Sequence, residues 1–336
     1  MATTDDFDVD PVFNDQEEVM PLPIGGGETM ASGDTLDQDA PTPEGGESRS
    51  TGTIFRQMSR VFLENKLAVV GLAVIALMIL FCFVGPHVYP TNQTSTQLAL
   101  QNSTSNAAPS SANPLGTDEV GFDILGRLMY GGQVSLIVGF ASAIVATVVG
   151  VTYGAMAGFF GGWSDSLLMR VVDVLLSIPV LFLLIALVTI YHQSELLLIL
   201  VIAFVSWLIP ARLIRGETLS LRLREYVQAV RVMGGSRKRI IGRHIIPNAV
   251  GTIVVFATFQ IADSILLLAA LGYLGLGVPA PQTDWGTMLS NGVNSAASGY
   301  WWQIYPAGLC IVLVVVAFNY IGDALRDSLE VRLQQR

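Results

Sequence analysis

Residues 67–85 read LAVVGLAVIALMILFCFVG, nineteen consecutive positions without a charged side chain. At about 1.5 Å of rise per residue, a helix of that length reaches roughly 30 Å, the thickness of a bilayer's hydrocarbon core. Such a helix is apolar on every face. The intrahelical ladder satisfies its backbone N–H and C=O groups, so such a helix can lie within a bilayer. Five further runs have the same character: 134–158, 174–191, 196–214, 249–271 and 304–321. The third is the shortest and carries Pro179, which a spanning helix tolerates when its neighbours satisfy the freed carbonyl. The expected fold is therefore all-α and integral to the membrane, with six transmembrane helices. Composition agrees, with 51% apolar and 13% charged residues and a mean hydropathy of +0.55. A soluble domain carries about a quarter charged residues, so an ordinary soluble enzyme is excluded.

Charge divides the chain. Residues 1–50 hold 13 of the 27 acidic residues and a single base, Arg49, so the net charge of −9 describes this segment rather than the remainder. Its Asp, Glu, Gly, Pro, Ser and Thr cannot bury enough apolar surface to offset chain entropy, and a disordered acidic tail is expected. The start also lacks the basic, apolar and small-residue succession of a secretory signal, so the run at residue 67 is expected to be retained as an anchor. Residues 51–133 are then an amphipathic segment, the first transmembrane helix and an outer loop, and residues 134–336 a five-helix core. With the N-terminus inside, 17 of the 18 Lys and Arg residues fall on the inner side and only Arg127 lies outside. The positive-inside rule thus places both termini in the cytoplasm of a cell-membrane protein. No basic surface for nucleic acid remains.

Few residues suggest chemistry. Cys82 and Cys310 lie inside apolar runs, where a thiol is a small buried hydrophobe, and His87, His192 and His244 have no metal-ligand spacing. The only lysines, Lys66 and Lys238, follow no Gly-x4-Gly, so the chain carries no phosphate-binding loop, no cofactor is expected, and the protein is not an enzyme by itself. Gly150, Gly154, Gly158 and Gly162 recur every four residues, which would put four small residues on one helix face for close helix packing, within this chain or against a second subunit. Gln260, Asp263 and Asn319 are polar side chains inside apolar runs and are candidates for a translocation path. A carboxylate at a helix centre costs about 2.5–3.5 kcal/mol on insertion scales, so Asp263 should face a cavity or a partner.

The inner segment 216–248 is the richest in pattern. Tyr226, Val230 and Met233 share a helical spacing while Arg224 and Arg231 fall elsewhere on the wheel. Gly234-Gly235 supplies a bend, and Ser236 can cap a second helix running toward Pro247. That helix opens with Arg237-Lys238-Arg239 at the positive end of its dipole, where cations need compensation, either from anionic lipid headgroups or from a soluble partner docked on the apolar stripe.

The string Glu225-Tyr226-Val227-Gln228-Ala229-Val230-Arg231-Val232-Met233-Gly234-Gly235-Ser236, followed by Arg243-His244-Ile245-Ile246-Pro247-Asn248, resembles the "EAA" loop of binding-protein-dependent ABC importer permeases. Gly234 and Pro247 match at the family's spacing. Gln228 and Val230 replace the usual Glu and second Ala, and His244 and Ile246 replace the usual Ile and Leu. Further strings, among them Pro114-Leu115-Gly116-Thr117-Asp118 with Gly121 and Asp123, Gly161-Gly162-Trp163 with Asp165, Met169-Arg170 with Asp173, Leu274-Gly275-Leu276-Gly277, and Asn319 with Gly322-Asp323, are similar to the dipeptide/oligopeptide permease protein C family. Where that family often carries an acid before its Leu-Gly-Leu-Gly turn, this chain has Leu268.

The resemblance implies a type I ABC importer permease fold, in which the loop at 216–248 is a cytoplasmic coupling helix docked on ATP-binding subunits. The matching contact positions are Glu225, Gln228, Ala229, Arg231, Gly234, Ser236, Arg239, His244 and Pro247. It also implies a second homologous permease subunit, two ATP-binding subunits and an extracellular or periplasmic solute-binding protein. Peptides are the expected solute, with nickel or another small solute as the alternative within the family. A secondary transporter or channel working alone is the alternative outside it, although internal repeats and intramembrane ionisable clusters are not evident.

Overall fold

The computed structural model describes residues 62–102 and 104–334, so the acidic tail and most of the amphipathic segment expected before the first span lie outside the described residues. Within them the chain is helical, apart from turns and one isolated β-bridge between Thr117 and Asp123. In chain order the helices are α1 (Lys66–Val88), α2 (Thr96–Asn102), α3 (Ile124–Phe160), α4 (Gly162–Leu176), α5 (Val180–Ile190), α6 (Glu195–Ser206), α7 (Leu208–Leu221), α8 (Glu225–Val232), α9 (Arg237–Tyr273), α10 (Trp285–Ala296) and α11 (Tyr305–Gln334).

Four helices are long and apolar enough to cross a membrane unbroken: α1, α3, α9 and α11, the last taken with the turn before it. Two bent pairs make six if each counts as one span. The expected third span is not a single helix: its first residues close α4, the chain turns by 83°, and the rest forms α5. Pro179 is the cause, because it lacks a backbone donor and bars Ile178 from the helical region. At about 1.5 Å per residue, the eleven residues of α5 reach only about 16 Å. The fourth span bends by 42° at Trp207, where Pro210 withholds a donor from the Ser206 carbonyl.

Packing follows the small residues. On α3, an added Cβ at Gly150 would lie 2.7 Å from the Trp207 carbonyl oxygen, at Gly154 2.3 Å from that of Ala211, and at Gly158 2.7 Å from that of Arg215. The stripe is therefore the seat of α7, inside this chain. Gly162 does not belong to it. The helix ends at Phe160, Gly161 and Gly162 adopt φ values of 64° and 57°, and an added Cβ on Gly162 meets nothing. The four-residue spacing continues past the point where the helix stops.

At one end of the bundle, residues 89–102, 104–123 and 281–303 form a cap. Asp118 accepts backbone N–H bonds from Val120 and Phe122 and faces the Arg127 guanidinium, which in turn donates to the Pro281 carbonyl at 2.6 Å and lies over the Phe122 ring. Trp285, fully buried, donates its indole N–H to the Leu128 carbonyl, while its backbone N–H bonds Ser135. Asp284 caps α10 through the Thr287 N–H. Burial pushes its carboxyl above the usual carboxylate range, against the pull of the Thr287 hydroxyl and backbone donors.

Candidate functional site

Helix α8 lies at the end of the bundle opposite the cap, between the C-terminus of α7 and the start of α9. Glu225 opens it and Arg231 lies in its last turn, so each charge sits at the end of the helix dipole that favours it. The Gln228 amide donates to the Arg222 carbonyl at 3.0 Å and ties α8 to the end of α7, and Arg222 donates to the Gly158 carbonyl at 2.9 Å. Gly234 ends the helix at φ 78°, with the Gly235 N–H bonding the Val230 carbonyl and the Gly234 N–H that of Arg231. This is a Schellman turn, which places its left-handed residue where glycine is least strained.

The apolar stripe is divided differently from the sequence expectation. Val227 is buried and Val230 half-buried in a cluster with Leu221, Ile240, Ile245 and Ala249, because the Gly235 turn folds over Val230. The outward apolar residues are Leu223, Val232 and Met233, 70%, 87% and 77% exposed, with Tyr226 beside them. Glu225, Ala229, Arg231, Gly234, Ser236, Arg239 and Pro247 are exposed, and Gln228 and His244 are half-buried. All nine expected contact positions therefore lie on one continuous segment.

Ser236 caps the following helix by accepting the Arg239 N–H. That helix does not stop at Pro247: it runs from Arg237 to Tyr273 through a π-turn at Ile241–Ile245. The wider turn admits proline just after it, and the Asn248 side-chain amide donates to the His244 carbonyl one turn back. Of the three cations at its start, Arg237 lies over the Phe160 ring at 5.4 Å, while Lys238 and Arg239 are exposed.

A second feature lies within the bundle. Gln260 and Asp263, one turn apart on α9, line a cavity of about 430 Å³ with Leu176 and Leu181 beside the α4–α5 break and Val205 and Ser206 at the α6–α7 bend. Asn319 is not brought to it; its amide donates to the Val315 carbonyl of its own helix.

Residues 150–335 match the family described as binding-protein-dependent transport system inner membrane component, and residues 53–109 match the N-terminal transmembrane domain of oligopeptide transport permease C. The chain belongs to this family. Among its relatives, the oligopeptide transport system permease protein OppC of Haemophilus influenzae is 38% identical over 280 residues, 83% of this chain and 88% of that one. OppC of Escherichia coli K12 is 40% identical over 278 residues, covering 83% and 91%. The dipeptide transport system permease protein DppC of Alkalihalophilus pseudofirmus is 38% identical over 301 residues, covering 89% and 96%. In fold, the permease is similar to a chain of the MetNI methionine ABC transporter in its inward-facing conformations, at 18% identity and a TM-score of 0.50, covering 60% of this chain and 96% of that one. The permease is membrane-embedded, and its helical architecture is that of type I importers.

Sequence reasoning missed how the permease braces α7, the helix that leads into α8. Asp165 on α4 accepts two bonds from Arg215, at 2.6 and 2.7 Å, and Asp173 pairs with Arg212. These acids belong to the strings quoted above, and the arginines were counted only as inner positive charge.

Proposed function

We propose that this permease is the membrane-spanning subunit of an ATP-driven importer of peptides. ATP hydrolysis is assigned to two ATP-binding subunits, solute delivery to an exterior binding protein, and the other half of the pathway to a second homologous permease. Both termini face the cytoplasm, in keeping with the single base, Arg127, on the outer side. The observation that carries this reading is the α8 surface. Leu223, Tyr226, Val232 and Met233 are exposed on and beside α8, a rigidly terminated helix that is hydrogen-bonded to α7. An exposed apolar patch held by such a frame is what a docking interface requires.

Closure of the ATP-binding subunits then moves α8. The α7 helix carries that movement into α3 and α4 through the glycine seat and the two Asp–Arg pairs, and the spans exchange inward for outward access. Peptide as solute follows from the oligopeptide and dipeptide names of the relatives. The test is to purify the tagged chain in mild detergent, identify the co-purifying subunits, and measure peptide uptake after reconstitution. Two ATP-binding chains, a second permease and ATP-dependent peptide uptake are expected. Peptide movement by this chain alone, without ATP, would overturn the proposal.

A further inference from the structure

The cavity around Asp263 carries an inference that rests on the importer reading and goes further, to the chemistry of the solute. Its volume of about 430 Å³ lies within the roughly 300–1,000 Å³ of small-molecule sites. Its walls come from both places where the spans are broken: Leu176, Val180 and Leu181 flank the α4–α5 break, and Val205, Ser206 and Ile209 flank the α6–α7 bend. Irregular backbone at membrane depth survives where it is buried in protein or lines a cavity, and broken helices mark the solute sites of many transporters.

Three polar side chains are among the residues lining this otherwise apolar space, and none has a hydrogen-bond partner among the described residues. Asp263 lines the cavity, is exposed, and makes no ion pair or hydrogen bond among the described residues. Gln260 is 8% exposed, and the Ser206 hydroxyl is buried without a partner. Among the described residues, no basic side chain lines the cavity. An isolated carboxylate in a span is costly, and a buried amide or hydroxyl without a partner is costly as well, so the three together describe a site completed by something else.

The donor set narrows what that is. One carboxylate, one amide and one hydroxyl provide too few oxygens for a bare divalent cation, which takes six or more. They match a protonated amine, whose N–H donors point toward acceptors a few ångströms apart, with the Gln260 N–H free to donate to an adjoining carbonyl. Apolar walls without further polar groups accommodate side chains of many shapes. We infer that Asp263, with Gln260 and Ser206, forms a subsite for the α-ammonium group of the transported peptide.

The test compares uptake of trialanine and N-acetyl-trialanine by the reconstituted importer with all its subunits. The binding protein acts identically in every variant, so a change in the ratio of the two uptakes reports on the permease. Asp263→Asn is expected to lower the free-to-acetylated ratio about tenfold, as loss of one charge-assisted hydrogen bond does. Asp263→Glu, which keeps the charge, is expected to retain most of the ratio. An unchanged ratio in Asp263→Asn would overturn the inference. So would failure of that variant to assemble, which would place Asp263 in a subunit contact. A wild-type complex that moves neither peptide would instead refute the peptide reading on which the inference rests.

Discussion

Substituting Gly154 by alanine adds one methyl group where α3 meets α7. Its Cβ would lie 2.3 Å from the Ala211 carbonyl oxygen and 3.0 Å from both the Ala211 carbonyl carbon and the Arg215 nitrogen. The first distance is about 1 Å short of ordinary van der Waals contact. All three atoms are backbone, so no side chain can rotate away and the helices themselves must part. Gly150 and Gly158 also approach the backbone of Trp207 and Arg215 closely, an added Cβ at each lying 2.7 Å from the carbonyl oxygen, so a local separation opens their contacts too. Overpacking of this kind costs about 1–3 kcal/mol, and the absence of a flexible neighbour puts Gly154→Ala at the upper end. Gly216, on α7 itself, is the internal control: an added Cβ there meets nothing, and replacing a helical glycine by alanine is favourable by about 0.5–1 kcal/mol. Thermal unfolding of the purified protein in detergent should show Gly154→Ala several degrees below wild type, on the order of 2–4 °C per kcal/mol, and Gly216→Ala at or slightly above it. A Gly154→Ala protein as stable as wild type would refute the packing argument, because the helices would then have room that the backbone distances deny.

Two further outcomes test the polar framework. Asp165→Asn removes a charge-assisted pair to Arg215 and should destabilise by about 1–3 kcal/mol. In a double-mutant cycle with Arg215→Gln, the double variant should be little worse than the poorer single one, whereas additive losses would mean that the pair does not interact. Asp284, whose carboxyl is raised by burial, binds a proton more tightly folded than unfolded. It therefore contributes stability that is full below the unfolded carboxylate value of about 3.9 and is lost as pH rises through the folded value. Asp284→Asn, which keeps a capping acceptor, should flatten that part of the stability profile, and an unaltered slope would assign the titration to another group.

The apolar runs made the spans legible because a long charge-free stretch has few homes, yet run length could not show that Pro179 turns the third one through 83°. Gly150, Gly154 and Gly158 were legible as a packing face, but their partner depends on which helix returns beside α3, a tertiary matter. Spacing alone carried the stripe one step too far, to Gly162, after the helix had ended. The turn at Gly234 and the cap at Ser236 were readable because both follow from local backbone chemistry. The continuation of α9 through Pro247 was not, since a π-turn removes the break that proline normally imposes. Arg215 and Asp165 stand 50 positions apart, so their pairing required the register between two helices. Gln260 and Asp263 could be placed on one face by their three-residue spacing, whereas nothing local distinguished Asn319, which bonds its own helix.

The central claim is that α8 and its turn couple ATP hydrolysis in partner subunits to movement of the spans. Gly234→Asp addresses it with little disturbance to the fold. The residue has φ 78° and an added Cβ meets nothing among the described residues, so the substitution costs only the left-handed backbone, about 1–2 kcal/mol, and sets a carboxylate on the outward surface. The measurement is peptide uptake and ATP hydrolysis by the reconstituted complex alongside the amount of permease in the membrane. The account predicts near-normal abundance with most ATP-driven uptake lost, through either poorer capture of the ATP-binding subunits or hydrolysis without transport. Uptake at the wild-type rate would contradict it.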